Sequence, residues 1–124
     1  MNAEILGTID GALAFLAPRA GEATRLTMQL IAAPSENLPG DETAPARVMR
    51  EAIAAFGLPP AREFASQPHR PNLIVRIDGA RPGRHLALCG HLDTKPVGEA
   101  AHLWNSDPFT GTIVGDRMYG LGST

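Results

Sequence analysis

The apolar run HLALC (85–89) ends at Gly90 and is followed at once by His91 and Asp93. Residues 86–89 are apolar without interruption, so both faces of the corresponding strand would carry apolar side chains. That pattern predicts a strand covered on both sides rather than one with a solvent face. A strand of this kind needs helices and neighbouring strands around it, so the run favours an α/β fold.

Three stretches upstream carry apolar residues at helical spacing. We predict a first helix that is broken at Pro18, a second preceded by Gly21 and followed by Pro34, and a third that ends at Gly57. Asp41 or Thr43 could cap the third helix, and Pro45 is tolerated in its first turn. The recurring residues are Ile5, Ile9, Ala12, Leu13 and Leu16, then Ala23, Leu26, Thr27, Leu30 and Ile31, then Met49, Ile53 and Phe56.

After the third helix the pattern becomes strand-like. LIVRI (73–77) and HLALC (85–89) flank the turn sequence DGARPGR, and TIV and RMY flank Gly115-Asp116 in what reads as a short hairpin. The chain is therefore predicted to be α/β, with helices followed by strands of an incomplete mixed sheet. At 124 residues, it is expected to form part of one domain at most.

Composition excludes several classes of function. Hydrophobic residues make up 44% of the chain and charged residues 19%, as in ordinary soluble globular proteins. The net charge of -2 provides no basic surface, so neither nucleic acid nor a membrane is the expected partner. Cys89 is the single cysteine, is expected to be a small buried hydrophobe, and cannot form an internal disulfide. With no signal-peptide pattern at the N-terminus, a cytoplasmic location is expected.

His91 and Asp93 are the candidate functional residues. In extended chain they lie on the same face, just beyond the carboxyl end of the predicted strand, where open α/β sheets bind their ligands. Asp93 could orient a metal-binding His91 through the second ring nitrogen, or it could itself be a ligand. Without further context, the spacing favours a structural hydrogen-bonded pair of the same two residues.

The other histidines are poor candidates for the same site. Along a straight strand, His85 would lie about 20 Å from His91. His69 and His102 are expected to be solvated, although either could complete a mononuclear zinc site at a subunit interface. In the loop that follows, Trp104 and Phe109 are expected to pin the loop to the core. Asp107 is expected to bond within its own turn.

Three ordered blocks carry a family resemblance: GHLDTKPVG, WNSDPFTG and GDRMYGLGST. They closely resemble the amino-terminal signature of a metallohydrolase family that includes acetylornithine deacetylase, succinyl-diaminopimelate desuccinylase, aminoacylase and the glutamate carboxypeptidases. The upstream IAAPSENLPGDE resembles the opening segment of that family. The resemblance covers residues 31–124.

The resemblance implies a zinc-exopeptidase-like catalytic domain in a homodimeric enzyme. It implies two zinc ions, which cobalt or manganese could replace, with His91 as a metal ligand and Asp93 as the catalytic carboxylate that positions its imidazole. The reaction implied is hydrolysis of the amide bond of N-acyl amino acids or small peptides.

In the family, a Gly-x-Gly-x-x run leads directly into Asp-Met-Lys-Gly, whose aspartate bridges the two metals. The present sequence reaches Gly120, Gly122 and Thr124 and has no such aspartate. We therefore expect residues 1–124 to be the amino-terminal part of a single catalytic domain, without the rest of that domain and the dimerisation domain, and to be inactive alone. The alternative is a short non-catalytic binding or interaction module that retains the scaffold.

Overall fold

A computed structural model of the chain describes residues 8–123. Three α-helices precede four short strands in this range, and no helix in it combines the length and apolarity needed to cross a membrane. The elements are α1 (Ile9–Leu16), a 3-10 helix (Ala17–Arg19), α2 (Ala20–Ile31), α3 (Thr43–Ala55), β1 (Arg62–Phe64), β2 (Asn72–Ile74), a second 3-10 helix (Gly98–Leu103), β3 (Thr112–Val114) and β4 (Arg117–Tyr119).

The first two helices lie where the apolar spacing predicts them. Thr8 caps α1 by accepting the N–H of Gly11 at 3.0 Å, whereas Ile5, which belongs to the predicted pattern, lies outside the described residues. Pro18 converts the chain to a 3-10 turn, as expected of a residue that lacks an N–H donor. The second helix begins before its predicted start and includes Gly21.

The third helix follows its sequence signals in part. Pro45 occupies the first turn as expected, but the N-cap is Glu42, which lies between the two predicted capping residues and makes no side-chain capping bond. The N–H of Thr43 donates to Oδ1 of Asp41 at 2.9 Å. Hydrogen bonds from the side chain and then the backbone of Thr43 hold the pKa of Asp41 below its ordinary value. Gly57 follows the helix with φ +67°, a left-handed conformation that glycine adopts without a steric penalty.

A small core lies between α2 and α3, which contact each other. Among the described residues, no large side chain is completely enclosed. The buried hydrophobic residues are Ile31, Ala33, Ala46, Val48 and Ile53. Because several of them are small, the core removes little apolar surface from water and gives a modest hydrophobic stabilisation.

An ion pair between a buried carboxylate and a partly exposed guanidinium fixes the start of α3 to the chain before β2. Glu42 is 6% exposed, its Oε2 accepts from Arg70 Nε at 3.2 Å, and its Oε1 lies 3.0 Å from Nη2. The N–H of Glu42 also donates to the carbonyl of His69 at 2.8 Å. Removing the guanidinium would leave a carboxylate buried without a counter-charge, which costs more than the pair itself contributes.

We predict that Arg70→Ala lowers the free energy of unfolding by about 1–3 kcal/mol, the cost of an unsatisfied buried polar group. Arg47→Ala is the matched control, because the Arg47–Glu51 pair is exposed on both sides and such pairs contribute about 0.3–0.5 kcal/mol. Urea denaturation of both variants measures the difference. Equal losses would show that burial of Glu42 carries no energetic weight.

The strands form two separate antiparallel pairs rather than the expected mixed sheet. β1 pairs with β2 with Arg62 opposite Ile74, a pairing that the sequence patterns did not predict. β3 pairs with β4 with Thr112 opposite Tyr119, which confirms the predicted hairpin around Gly115-Asp116. The presence of helices and strands agrees with the predicted α/β class.

Two glycines allow the β3–β4 hairpin to lie against α2. A Cβ on Gly111 would lie 3.0 Å from Cγ of Met28, and a Cβ on Gly120 would lie 2.7 Å from Cγ2 of Ile31. Met28 and Ile31 are three residues apart on the helix and so share a face. The hairpin backbone therefore approaches α2 at both of its ends, where a side chain would force Met28 or Ile31 to shift.

Gly120→Ala is expected to destabilise the chain by about 1–3 kcal/mol, because Ile31 is buried and β-branched and has little freedom to move away. Gly83→Ala is the matched control, since a Cβ at that position would meet nothing within 4 Å. Thermal unfolding of both variants tests the prediction. It is contradicted if Gly120→Ala is tolerated as well as Gly83→Ala.

The prediction of a buried strand at 85–89 is wrong. These residues belong to no strand and all are exposed; Leu86 is 84% and Leu88 89% exposed, and Cys89 is exposed rather than buried. LIVRI is likewise a strand only as far as Ile74. A strand is stable when neighbouring strands satisfy its N–H and C=O groups. No part of the described chain pairs with 85–89, so the segment lies exposed to solvent without strand structure.

Candidate functional site

His91 and Asp93 lie together in the segment that follows Gly90. The Nδ1 atom of His91 is 3.0 Å from Oδ1 of Asp93 and 2.7 Å from the backbone carbonyl oxygen of the same residue. The His91 side chain is 83% exposed, whereas that of Asp93 is 29% exposed. The two residues therefore form a local pair in which the carboxylate is partly enclosed and the imidazole faces solvent.

The partners of His91 determine its tautomer. A carbonyl oxygen only accepts hydrogen bonds, and an ionised carboxylate also only accepts. Nδ1 must therefore carry the proton that both oxygens of Asp93 receive. In the neutral ring this leaves the Nε2 lone pair free, which is the form in which histidine binds a metal ion.

Asp93 is held in place by a residue far away in sequence. Nδ2 of Asn37 donates to Oδ2 of Asp93 at 2.9 Å, leaving Oδ1 for His91. This bond is the main cause that places the pKa of the Asp93 carboxyl below its ordinary value, against the opposing effect of partial burial. The carboxyl is consequently ionised at neutral pH, as the tautomer of His91 requires.

Asn37 belongs to a polar brace formed by residues 35–37. Oγ of Ser35 donates to the carbonyl of Leu92 at 2.7 Å, and Oε1 of Glu36 accepts the N–H of Val97 at 2.7 Å. The backbone adds a parallel bridge between Glu36 and Thr94. Each residue of the brace thus fixes a different point of the segment 92–97.

The glycine-rich segment after β4 reaches the same place. A Cβ on Gly122, whose φ is +82°, would lie 3.1 Å from Cγ2 of Thr94. The N–H of Leu121 donates to the carbonyl of Pro108 at 2.7 Å, which ties this segment to the preceding loop. Segment 92–97 therefore lies between the brace and the glycine-rich segment.

The pair does not amount to a complete metal site. Within residues 8–123, no three His, Cys, Asp or Glu side chains lie close enough together to hold a metal ion. Nδ1 of His69 lies 3.7 Å from Asp41, and Nδ1 of His102 lies 2.8 Å from the carbonyl of Glu99. Polar groups other than His91 therefore lie beside both His69 and His102.

Trp104 and Asp107 occupy the loop before the hairpin. Asp107 accepts the N–H of Phe109 at 2.9 Å and the hydroxyl of Thr110 at 3.2 Å, which confirms its predicted role in the turn. Trp104 and Tyr119 line an open cavity of about 610 Å³. Trp104, which the sequence predicts to pin the loop to the core, is half-buried at the wall of this groove.

Comparison with known proteins identifies relatives of the chain. It is 36% identical over 104 residues to a succinyl-diaminopimelate desuccinylase of Methylobacterium radiotolerans, an alignment that covers 82% of this chain and 25% of the relative. It is 48% identical over 52 residues to an acetylornithine deacetylase of Photorhabdus laumondii, covering 42% of this chain and 12% of the relative. A protein of Methanocaldococcus jannaschii named as a metallohydrolase is 39% identical over 54 residues, covering 44% of this chain and 13% of that protein.

The chain belongs to this metallohydrolase family. It spans at most about a quarter of the length of the curated relatives named above. No family model matches it, and no solved structure matches it significantly.

The brace at residues 35–37 is the part of the candidate site that the sequence patterns did not predict. The loop APSENLPGDE reads only as a polar connection and as a family resemblance. Its serine, glutamate and asparagine in succession are a usable signal, because these residue types bond to backbone and carboxylate groups when they are partly buried. Sequence alone does not say that their partners lie at 92–97.

Ser35→Ala is expected to lower the free energy of unfolding by about 1 kcal/mol, because Ser35 is 3% exposed and its hydroxyl is the donor to Leu92. Ser66→Ala, at an exposed position, is the control and should change stability by less than about 0.5 kcal/mol. Chemical denaturation measures both. Identical midpoints for the two variants would contradict the role of Ser35 in the brace.

Proposed function

We propose that the chain is part of a zinc-dependent amidohydrolase in which Nε2 of His91 binds one of two zinc ions. In this proposal Asp93 is the carboxylate that orients the imidazole, and the substrates are N-acyl amino acids or small peptides. The names of the relatives, a desuccinylase and a deacetylase, support removal of an acyl group from an amino acid.

The observation that carries the proposal is the tautomer of His91. Its Nδ1 faces two acceptors, so in the neutral ring Nε2 is the nitrogen without a proton, on a side chain that is 83% exposed. A histidine that donates to a carboxylate from one nitrogen and presents the other to solvent has the arrangement found at zinc sites. A purely structural pair would not require the imidazole to remain in solvent.

The chemical types of the side chains present suit zinc, but there are too few of them for a complete site. Imidazole nitrogen and carboxylate oxygen are both zinc ligands, yet a catalytic zinc ion takes three protein ligands. The described residues supply one ligand and its orienting carboxylate. A bound zinc ion contributes Lewis acidity, which polarises an amide carbonyl and acidifies water. The contribution of this chain is to present Nε2 and to hold the proton on Nδ1.

We propose in addition that residues 1–124 form the amino-terminal part of one catalytic domain in a cytoplasmic, homodimeric enzyme, and that the isolated chain has no activity. The relatives are about four or more times as long as the segments they share with this chain, which leaves room for further ligands and a dimerisation domain. The openness of the His91 site supports inactivity, because an exposed site neither excludes water nor holds a substrate.

The test is zinc binding and turnover by the purified chain. We expect weak binding that His91→Ala removes, and no hydrolysis of N-acetyl or N-succinyl amino acids. His69→Ala and His102→Ala are the matched controls and should leave zinc binding unchanged. Isothermal titration calorimetry and a ninhydrin assay for released amine provide the measurements.

The outcomes separate the competing hypotheses. Loss of zinc in His69→Ala or His102→Ala would favour a mononuclear site completed at a subunit interface. Tight stoichiometric zinc with turnover would contradict the inactivity of the isolated chain. No zinc response at His91 would favour a binding or interaction module, for which the exposed Leu86 and Leu88 would offer a contact surface.

A further inference from the structure

We propose that Asn37 is a positioning residue of the metal site: it orients the Asp93 carboxylate, and through it the imidazole of His91. This inference rests on the proposed function, because it assigns Asn37 a role in presenting Nε2 of His91 to a metal ion. The geometry that carries it is a continuous chain of hydrogen bonds from Asn37 to Asp93 and from His91 to Asp93.

The first step concerns what fixes His91. Its side chain is 83% exposed, so packing restrains the ring very little. Its orientation depends on Nδ1, which lies 2.7 Å from the carbonyl oxygen and 3.0 Å from Oδ1 of Asp93. The carbonyl is fixed by the backbone, whereas Oδ1 is fixed only if the carboxylate is prevented from rotating.

The second step concerns what fixes that carboxylate. Apart from His91, the side-chain donor to Asp93 is Nδ2 of Asn37, which bonds to Oδ2 at 2.9 Å. One oxygen bonded to Asn37 and the other to His91 define the plane of the carboxylate. Without the amide, the carboxylate could turn about the Cβ–Cγ bond to intermediate angles, at which neither oxygen is held against Nδ1.

The third step separates Asn37 from its neighbours in the brace. Ser35 bonds to the carbonyl of Leu92, and Glu36 accepts from the N–H of Val97, so both hold backbone. The side chain of Asn37 instead bonds to the functional carboxylate itself. Within residues 8–123 its own Oδ1 is buried and meets no hydrogen-bond partner, and reversing the amide would set this oxygen against the carboxylate. The amide therefore has one favourable orientation, with the donor facing Asp93.

The experiment uses the 124-residue chain labelled with ¹⁵N-histidine, with the His91 signals assigned by their loss in His91→Ala. Long-range ¹H–¹⁵N spectra at neutral pH report which ring nitrogen is protonated, and zinc added to the same samples gives a Kd from the His91 shifts. The wild-type chain should show the Nδ1–H tautomer. In Asn37→Asp, a carboxylate replaces the donor, and we expect a mixture of tautomers and a Kd for zinc raised roughly tenfold, as for other changes behind a metal ligand.

Two further variants keep the result interpretable. Asn37→Ala removes the donor without adding charge and should give a smaller shift in the same direction. Ser35→Ala loosens the same brace but leaves the bond between Asn37 and Asp93, so it should keep the wild-type tautomer and Kd while lowering stability. A change in Ser35→Ala equal to that in Asn37→Asp would mean that Asn37 acts only on the folding of the loop, which overturns the inference.

Failure of the inference and failure of the proposed function give different results. An unchanged tautomer and an unchanged Kd in both Asn37 variants overturn the positioning role while leaving His91 as a ligand. If zinc does not perturb His91 in the wild-type chain, the metal proposal fails. The tautomer comparison then decides by itself whether Asn37 orients the pair.

Discussion

The brace at residues 35–37 is the contact on which the geometry of the site depends. Its side chains bond to the backbone at Leu92 and Val97 and to the carboxylate of Asp93, and its backbone pairs with Thr94. These bonds join positions more than fifty residues apart in the chain. Closing so long a loop has an entropic cost, which the several bonds of the brace offset together. The orientation of His91 follows from this closure, not from packing around its ring.

The helices and the β3–β4 hairpin stabilise the position of the brace. It follows directly after α2, and α2 in turn carries the β3–β4 hairpin through the close contacts of Gly111 and Gly120. The partly buried pair between Glu42 and Arg70 holds the start of α3 beside it. The result is a polar site supported by a modest core. A site of this kind is sensitive to single polar substitutions because few apolar contacts can compensate for a lost bond.

The segment that leads to His91 is exposed in this chain, whereas a complete enzyme would be expected to cover it. The apolar segment 85–89 leads directly to His91, yet it is exposed and unpaired in the described structure. Apolar side chains on both faces are what a strand inside a larger sheet requires. The proposed function therefore requires additional polypeptide for two purposes. One is to cover this segment, and the other is to supply the remaining metal ligands.

The sequence by itself determined the features that depend on neighbours in the chain. Four features follow from residues a few positions apart: the break of the first helix before Pro18, the turn at Gly57, the hairpin at Gly115-Asp116 and the pairing of His91 with Asp93. The order of its motifs also gave the family, which the relatives support. These inferences succeed because residues close together in the sequence determine local backbone preferences and short-range hydrogen bonds.

Only the tertiary structure decided which distant groups meet and which apolar residues are covered. The pairing of Asn37 with Asp93 spans the chain, and nothing in either residue's neighbours names the other as its partner. The exposure of 85–89 likewise depends on the absence of a pairing strand within residues 8–123, whereas its composition predicts burial. Hydrogen bonds and burial between distant segments are set by how the whole chain packs. Local sequence therefore fixed the candidate residues, and long-range packing fixed how they are held.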